Sequence, residues 1–151
     1  MPVLETERTI HRPFTLNDAA DVYAYCKDHR VGPIAGWKPH ESEEESREII
    51  RTVFSAPDVF AVTDRETGRV IGSAGFVTPH REEAHEGRSM EIGYALSPDY
   101  WGRGLMPEAA EAVMEYGFAE LGFRRIWCSH YMENDRSRRV IEKLGFQYQF
   151  T

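Results

Sequence analysis

Apolar residues change their spacing repeatedly along this chain, and each change marks an element. Residues 3–10 read as a first strand, closed by Pro13. Thr15 then caps a helix: Thr15-Leu-Asn-Asp18 puts an acid at the third helical position, and Ala19, Ala20, Val22, Tyr23 and Cys26 form its apolar side. Gly32, Pro33, Gly36 and Pro39 interrupt the pattern, so residues 30–40 read as a loop, and that loop carries Trp37. A large ring in a loop packs under a neighbour or lines a pocket. Helical spacing returns over residues 42–55, with Ser42 as the cap, Glu43 to Glu45 in the first turn, and Ile49, Ile50, Val53 and Phe54 as the buried stripe.

Strands Val59–Thr63 and Arg69–Pro79 come next, joined by Asp64-Arg-Glu-Thr-Gly68, a turn of hairpin length. A charged loop, His80–Arg88, leads into the strand Met90–Ser97. Met90, Ile92, Tyr94 and Leu96 take one face of it, and Glu91, Gly93, Ala95 and Ser97 take the other. Small residues on that second face leave room for something to lie against it. Helix Met106–Leu121 has Pro107 near its first turn, Glu108, Glu111, Glu115 and Glu120 on its wet side, and Gly122 at its end. Strand Arg124–Tyr131, helix Asn134–Leu144 closed by Gly145, and strand Phe146–Phe150 complete the pattern. With no repeat or linker in between, residues 1–151 are expected to form one domain.

The order, β-α-α-β-β and then β-α-β-α-β, predicts an α/β fold in which a mixed sheet carries helices on both faces. Strand 90–97, helix 106–121 and strand 124–131 form a crossover, which makes the two strands parallel neighbours.

Charge and composition narrow the function. Acidic residues outnumber basic ones 25 to 18, a net charge of −7, which argues against nucleic acid as a partner and is compatible with a cationic substrate. No apolar run is long enough to span a bilayer, and the first residues lack a secretory pattern. Cys26 and Cys128 do not make a disulfide framework, so a cytoplasmic setting is expected.

The chemistry concentrates where strand 90–97 runs through Trp101-Gly-Arg-Gly-Leu-Met106 into a long helix. Such a junction aims several backbone N–H groups and the positive end of a helix dipole at one spot, a seat for a diphosphate. Gly102 and Gly104 allow positive φ and close approach, and Arg103 adds a cation. A phosphate-binding Gly-Lys-Ser/Thr is missing, as are the third glycine and ribose-binding acid of a dinucleotide fold. Glu91, a carboxylate, begins the same strand. Two other clusters carry less: Cys128 and His130 are parallel neighbours on one strand and read as core, and His80 and His85 lack metal-ligand spacing.

The run Glu91 to Ala109, with Asn134-Asp-Arg-Ser-Arg-Arg-Val-Ile-Glu-Lys-Leu-Gly-Phe146 downstream, resembles the GNAT superfamily of acetyl-CoA-dependent N-acetyltransferases, and within it the RimJ/RimL-like branch. The likeness covers residues 90–146 strongly, and residues 1–80 in element order and in pieces such as Trp37-Lys-Pro39. It implies a GNAT-like, mostly antiparallel sheet with one parallel pair that splays apart. It also implies that backbone amides from Gly102 to Met106, with Trp101 and Arg103 beside them, bind the coenzyme A diphosphate. The pantetheine arm would run along Tyr94, Ala95 and Leu96, with Asn134 touching it. Acetyl-CoA is thus the expected co-substrate, and no metal is expected.

The implied reaction is direct attack of a primary amine on a thioester. Glu91 is the expected base, acting directly or through water. Many relatives place a Tyr two residues before the Lys of Lys-Leu-Gly-Phe to meet the leaving thiolate; that position is Ile141 here, and Ser137 is the substitute the branch suggests. The first helices and the loop around residues 80–88 are expected to wall the acceptor site, and Trp37 and Glu91 to bind the acceptor. The acceptor is a protein N-terminus or a small-molecule amine. The branch usually adds a further strand after the Gly-Phe strand, and this chain stops at Thr151. That strand is therefore expected to be missing; either the final strand pairs differently, or a partner chain covers the edge of strand 124–131, or the chain is truncated, and a homodimer contact at that edge is the expectation. Ile141 and the short end also suggest a competing role, a non-catalytic acyl-CoA-binding or sensing module of the same fold.

Overall fold

Six strands and the helices packed on them are described, in a computed structural model, over residues 2–31, 38–77, 89–128 and 141–147. The strands are β1 (Leu4–Glu5), β2 (Thr9–Arg12), β3 (Val59–Asp64), β4 (Val70–Val77), β5 (Ser89–Leu96) and β6 (Arg125–Trp127). They lie side by side in chain order. The pairs from β1 to β5 are antiparallel, and β5 and β6 are parallel neighbours, as the crossover requires.

Alternation along the strands sends successive side chains to opposite faces, and a helix covers each face. Helix α1 (Ala19–Cys26) packs Ala19, Val22, Tyr25 and Cys26 against Ala61 of β3 and Val70 of β4. The partly buried Ala95 of β5 joins that layer. Helix α3 (Leu105–Ala119) packs Leu105, Met106, Ala109, Ala110 and Val113 against Phe60, Val62, Ala74, Phe76, Ile92 and Leu96. Strand β5 therefore has the two faces that its sequence predicts, Ile92 and Leu96 towards α3 and Ala95 towards α1. The charged residue among them, Glu91, is 6% exposed.

Several local expectations are corrected. The first strand breaks into β1 and β2, because Thr6 N–H donates to the Thr9 carbonyl (2.9 Å) and turns the chain at residues 6–8. The helix after Thr15 opens with a 3-10 turn, Leu16–Asp18, which rotates the α-helical residues beyond it. Tyr25 is consequently buried, while Ala20 is exposed and Tyr23 half-buried. Helix α2 (Glu43–Ile49) passes into a π-helical turn, Ile50–Phe54. The added residue in that turn swings Val53 out to 52% exposure and leaves Ile50 as the buried member of the expected stripe. Helix α3 begins one residue early and β6 runs from Arg125 to Trp127. Residues 148–151, most of the predicted last strand, lie outside the described residues, as does the loop 80–88.

Candidate active site

The end of β5 is shaped by bonds that bend the chain without closing it. Ser97 N–H donates to the Ile71 carbonyl at 2.7 Å, the last tie to β4. Pro98–Tyr100 make a 3-10 turn, with Tyr100 and Trp101 N–H bonded back to Ser97 and Pro98 at 3.0 and 3.2 Å. The indole N–H of Trp101 returns to the Leu96 carbonyl at 3.0 Å, and its ring packs into both core layers. Gly102 and Gly104 then adopt φ of 78° and 72°, and α3 starts at Leu105. Both glycines occupy left-handed backbone that a β-carbon disfavours, which is why this turn needs them.

Gly104 occupies the cap position of α3 and brings no side chain to it. Among the described residues, no protein group accepts a hydrogen bond from the N–H of Gly102, Arg103, Gly104, Leu105 or Met106. The N–H groups of a first helical turn have no intrahelical acceptor, and they carry the positive end of the dipole. A cationic group adds to it: the Arg103 guanidinium lies 5.0 Å from the Tyr100 ring and donates to the Asp99 carbonyl at 3.1 Å, whereas the Arg30 guanidinium, 5.8 Å from the Trp101 ring, is paired with Asp28. A depression of about 450 Å³ borders the turn, lined by Arg8, Arg65 and Arg103 and equally by Glu7, Asp64 and Glu66. The open amides at the helix start, rather than the side-chain charge of the depression, suit an anion.

Glu108, in the first turn of α3, would oppose that anion were its carboxylate free. Instead it accepts from the Thr6 hydroxyl at 2.6 Å and from the N–H and Nε–H of Arg8 at 3.0 and 2.9 Å. Burial works to raise its pKa, but the bonds from Thr6 and Arg8 outweigh burial and hold the carboxyl below its ordinary range. Helical spacing alone puts Glu108 on the wet side of the helix and gives Thr6 and Arg8 no role. The available signal is the acid itself, since a carboxylate beside an anion seat calls for a compensating donor.

At the other end of β5, Glu91 faces Val77 of β4 and Trp127 of β6 in register. The ladder between β5 and β6 covers three residue pairs and ends there. Beyond it, Ile92 to Leu96 pair with β4 and, among the described residues, with no strand on the other side. The backbone of Tyr94, Ala95 and Leu96 thus runs between the buried carboxylate and the open turn. At about 3.3 Å per residue, some 16 Å of strand separates Glu91 from Leu96.

Trp37, Asn134, Ser137, His80, His85 and His130 lie outside the described residues. Ile141 is helical and half-buried. Cys128 packs half-buried on the α3 layer, and burial pushes the Cys26 thiol up to about 12, which makes it a poor nucleophile. Among the described residues no group of His, Cys, Asp and Glu is arranged to hold a metal, and no helix is long and apolar enough to cross a membrane.

Comparison with known proteins agrees with this geometry. Residues 8–147 match the family described as Acetyltransferase (GNAT) domain. The chain is 32% identical to a protein of Bacillus subtilis (strain 168) called Uncharacterized N-acetyltransferase YoaA, over 97% of this chain and 83% of that one. A shorter match, 36% identity over 41% of this chain and 33% of the other, is to the spermidine N(1)-acetyltransferase of Escherichia coli (strain K12). Among solved structures, a GNAT-family acetyltransferase from Bacillus anthracis superposes with a TM-score of 0.82 at 29% identity, covering 97% and 84% of the two chains. A ribosomal-protein-S5-alanine acetyltransferase from Vibrio fischeri has a TM-score of 0.74 at 22% identity, covering 97% and 84%, and so shares the fold.

Proposed function

This chain belongs to the GNAT family of N-acetyltransferases, and from that footing we propose that it acts as a single such domain, moving an acetyl group from acetyl-CoA to a primary amine by direct attack. The observation that carries the proposal is one strand with a buried carboxylate, Glu91, near its start and a helix start with open N–H groups, Gly102 to Met106, beyond its end. Those amides would hold the diphosphate of the coenzyme, with Trp101 and Arg103 beside them. The main chain of Tyr94, Ala95 and Leu96 would carry its arm, with Asn134 and Ser137 assigned to the same ligand from the sequence. When bound, acetyl-CoA supplies the thioester carbonyl that the amine attacks.

Glu91 takes the proton that an ammonium must lose before its nitrogen becomes a nucleophile. Its burial between strands keeps bulk water from competing for that proton. A backbone N–H of β5 would stabilise developing charge on the carbonyl oxygen. Ser137 is assigned the hydrogen bond to the departing sulfur. Trp37 and Glu91 are assigned to the acceptor.

The acceptor is an α-amine or a small-molecule amine. At pH 7 roughly a tenth of an α-amine is neutral, against about one part in 2,500 of a lysine, so one carboxylate suffices for the first. Spermidine acetylation by the Escherichia coli relative supports a polyamine as the alternative small-molecule acceptor, and the acidic balance of the chain favours a cation in general. Glu91→Gln tests the assignment: kcat is expected to fall between about 10²- and 10⁴-fold while the coenzyme A dissociation constant stays unchanged. Retained turnover in that variant would remove Glu91 from the role of base. Assays of wild-type turnover with peptide N-termini, spermidine and aminoglycosides sort the acceptors.

A further inference from the structure

The coenzyme turn is held from a distance. Arg8, in the turn between β1 and β2, donates from Nη1 to the Arg103 carbonyl at 2.8 Å and from Nε to Glu108 at 2.9 Å. One guanidinium thus bridges the last residue before the cap and the first turn of α3. A peptide unit is planar, and in the trans form its C=O and N–H point in opposite directions. Pinning the Arg103 carbonyl therefore aims the Gly104 N–H the other way, out of the turn. Gly104, on one side of this peptide unit, has a left-handed φ of 72° and no β-carbon to restrict it, so an external anchor has a flip to prevent.

Glu108 is itself anchored by a chain of bonds whose direction can be worked out. Thr6 has one hydroxyl proton and gives it to Glu108 at 2.6 Å, so Thr9 must be the donor in the 2.6 Å bond between the two hydroxyls. Thr9 Oγ1 is then left to accept from His11 Nε2–H, 2.8 Å away. Every proton points towards the carboxylate. His11 is fully buried, and its Nδ1 has no partner among the described residues, as the neutral Nε2–H tautomer allows.

We propose that Arg8 is a positioning residue for coenzyme binding: oriented by Glu108, it fixes the Arg103–Gly104 peptide so that the Gly104 N–H faces the diphosphate. This rests on the coenzyme-binding role proposed for the turn. The competing explanation is charge alone, with Arg8 simply adding a cation near the phosphates. Geometry and charge make opposite predictions for Glu108. Neutralising an acid beside an anion seat strengthens binding if only charge matters; it weakens binding if the acid is needed to orient Arg8.

The experiment is calorimetric titration of coenzyme A and acetyl-CoA into wild type, Arg8→Lys and Glu108→Gln, with the Gly104 amide followed by ¹⁵N NMR. Arg8→Lys keeps the cation but loses the fork that reaches both partners. Its dissociation constant is expected to rise about tenfold, the worth of one charge-assisted bond. Glu108→Gln is expected to weaken binding too, KM for acetyl-CoA rising in both while kcat holds. In both, the Gly104 amide resonance of the free protein should move from its wild-type position. Wild-type affinity in Arg8→Lys, or tighter binding in Glu108→Gln, overturns the proposal and leaves the coenzyme site standing. If Arg8→Lys does not fold, Glu108→Gln decides alone. Failure of the wild type to bind coenzyme A defeats the site itself and the positioning role with it.

Discussion

Helices α2 and α3 begin in opposite ways, although each start carries the same kind of dipole. At α2 the chain closes the start on itself. Ser42 Oγ accepts from Glu45 N–H at 3.1 Å, the Glu45 carboxylate reaches back to Glu41 N–H at 3.0 Å, and Glu43, Glu44 and Glu45 fill the first turn with negative charge. At α3 the cap residue is Gly104, which has nothing to close with, and the acid of the first turn is drawn aside by Thr6 and Arg8. A helix start becomes an anion seat through two conditions: no side chain consumes the free N–H groups, and no carboxylate stands in front of them.

Converting the second start into the first is the most damaging change. Gly104→Asp places a carboxylate at the cap of α3, and aspartate is among the residues that tolerate left-handed backbone. The seat gains a like charge. Coenzyme A affinity is expected to fall at least a hundredfold, about 3 kcal/mol by calorimetry, and the left-handed backbone at Gly104 makes the variant somewhat less stable as well. Wild-type affinity in this variant would place the diphosphate somewhere other than the α3 start.

A smaller effect reads the anchor behind the open start. Burial pushes the His11 imidazole down to about 4, with the charge of Glu108 working in the opposite direction. The folded chain therefore keeps His11 neutral while the unfolded chain protonates it near 6.5. Stability is complete above that value and drains away as pH falls from 6.5 towards 4. Between pH 7.5 and 5 the loss is about 2 kcal/mol. Urea unfolding at the two pH values, compared between wild type and His11→Gln, measures it. Equal slopes in the two proteins would mean that His11 is not the group responsible.

Range along the chain decides which features the sequence makes readable. The turn is local: Gly102 and Gly104 stand three residues apart or less from every group they position, and the alternation of Met90 to Ser97 assigns Ile92 to one core layer and Ala95 to the other without any tertiary knowledge. The departures are of two physical kinds. Tyr25 and Val53 escape the helical pattern because a 3-10 turn and a π-helical turn shift the phase of a helix, and spacing at 3.6 residues per turn cannot anticipate either. The bond between Arg8 and Glu108 joins residues a hundred positions apart, and nothing near either one announces the other. The open half of the α3 start is thus legible, and the half that removes its acid is not. For Trp37, Asn134 and Ser137 the sequence remains the sole source of their assignment.

The closed start supplies the mildest test. Ser42→Ala removes the cap of α2, and loss of such a cap costs about 1 kcal/mol, or roughly 2–4 °C in Tm for a domain of this size. Glu45 can still reach Glu41 N–H, so part of the closure survives and the effect sits at the low end. Coenzyme A affinity should not change, because the one N–H released at α2, that of Glu45, lies in a first turn made of Glu43, Glu44 and Glu45. An exposed donor surrounded by acids attracts no diphosphate, whatever the dipole behind it. If Ser42→Ala instead altered coenzyme binding, the two starts would have to be coupled through the sheet that separates their helices, and the contrast between them would be one of degree.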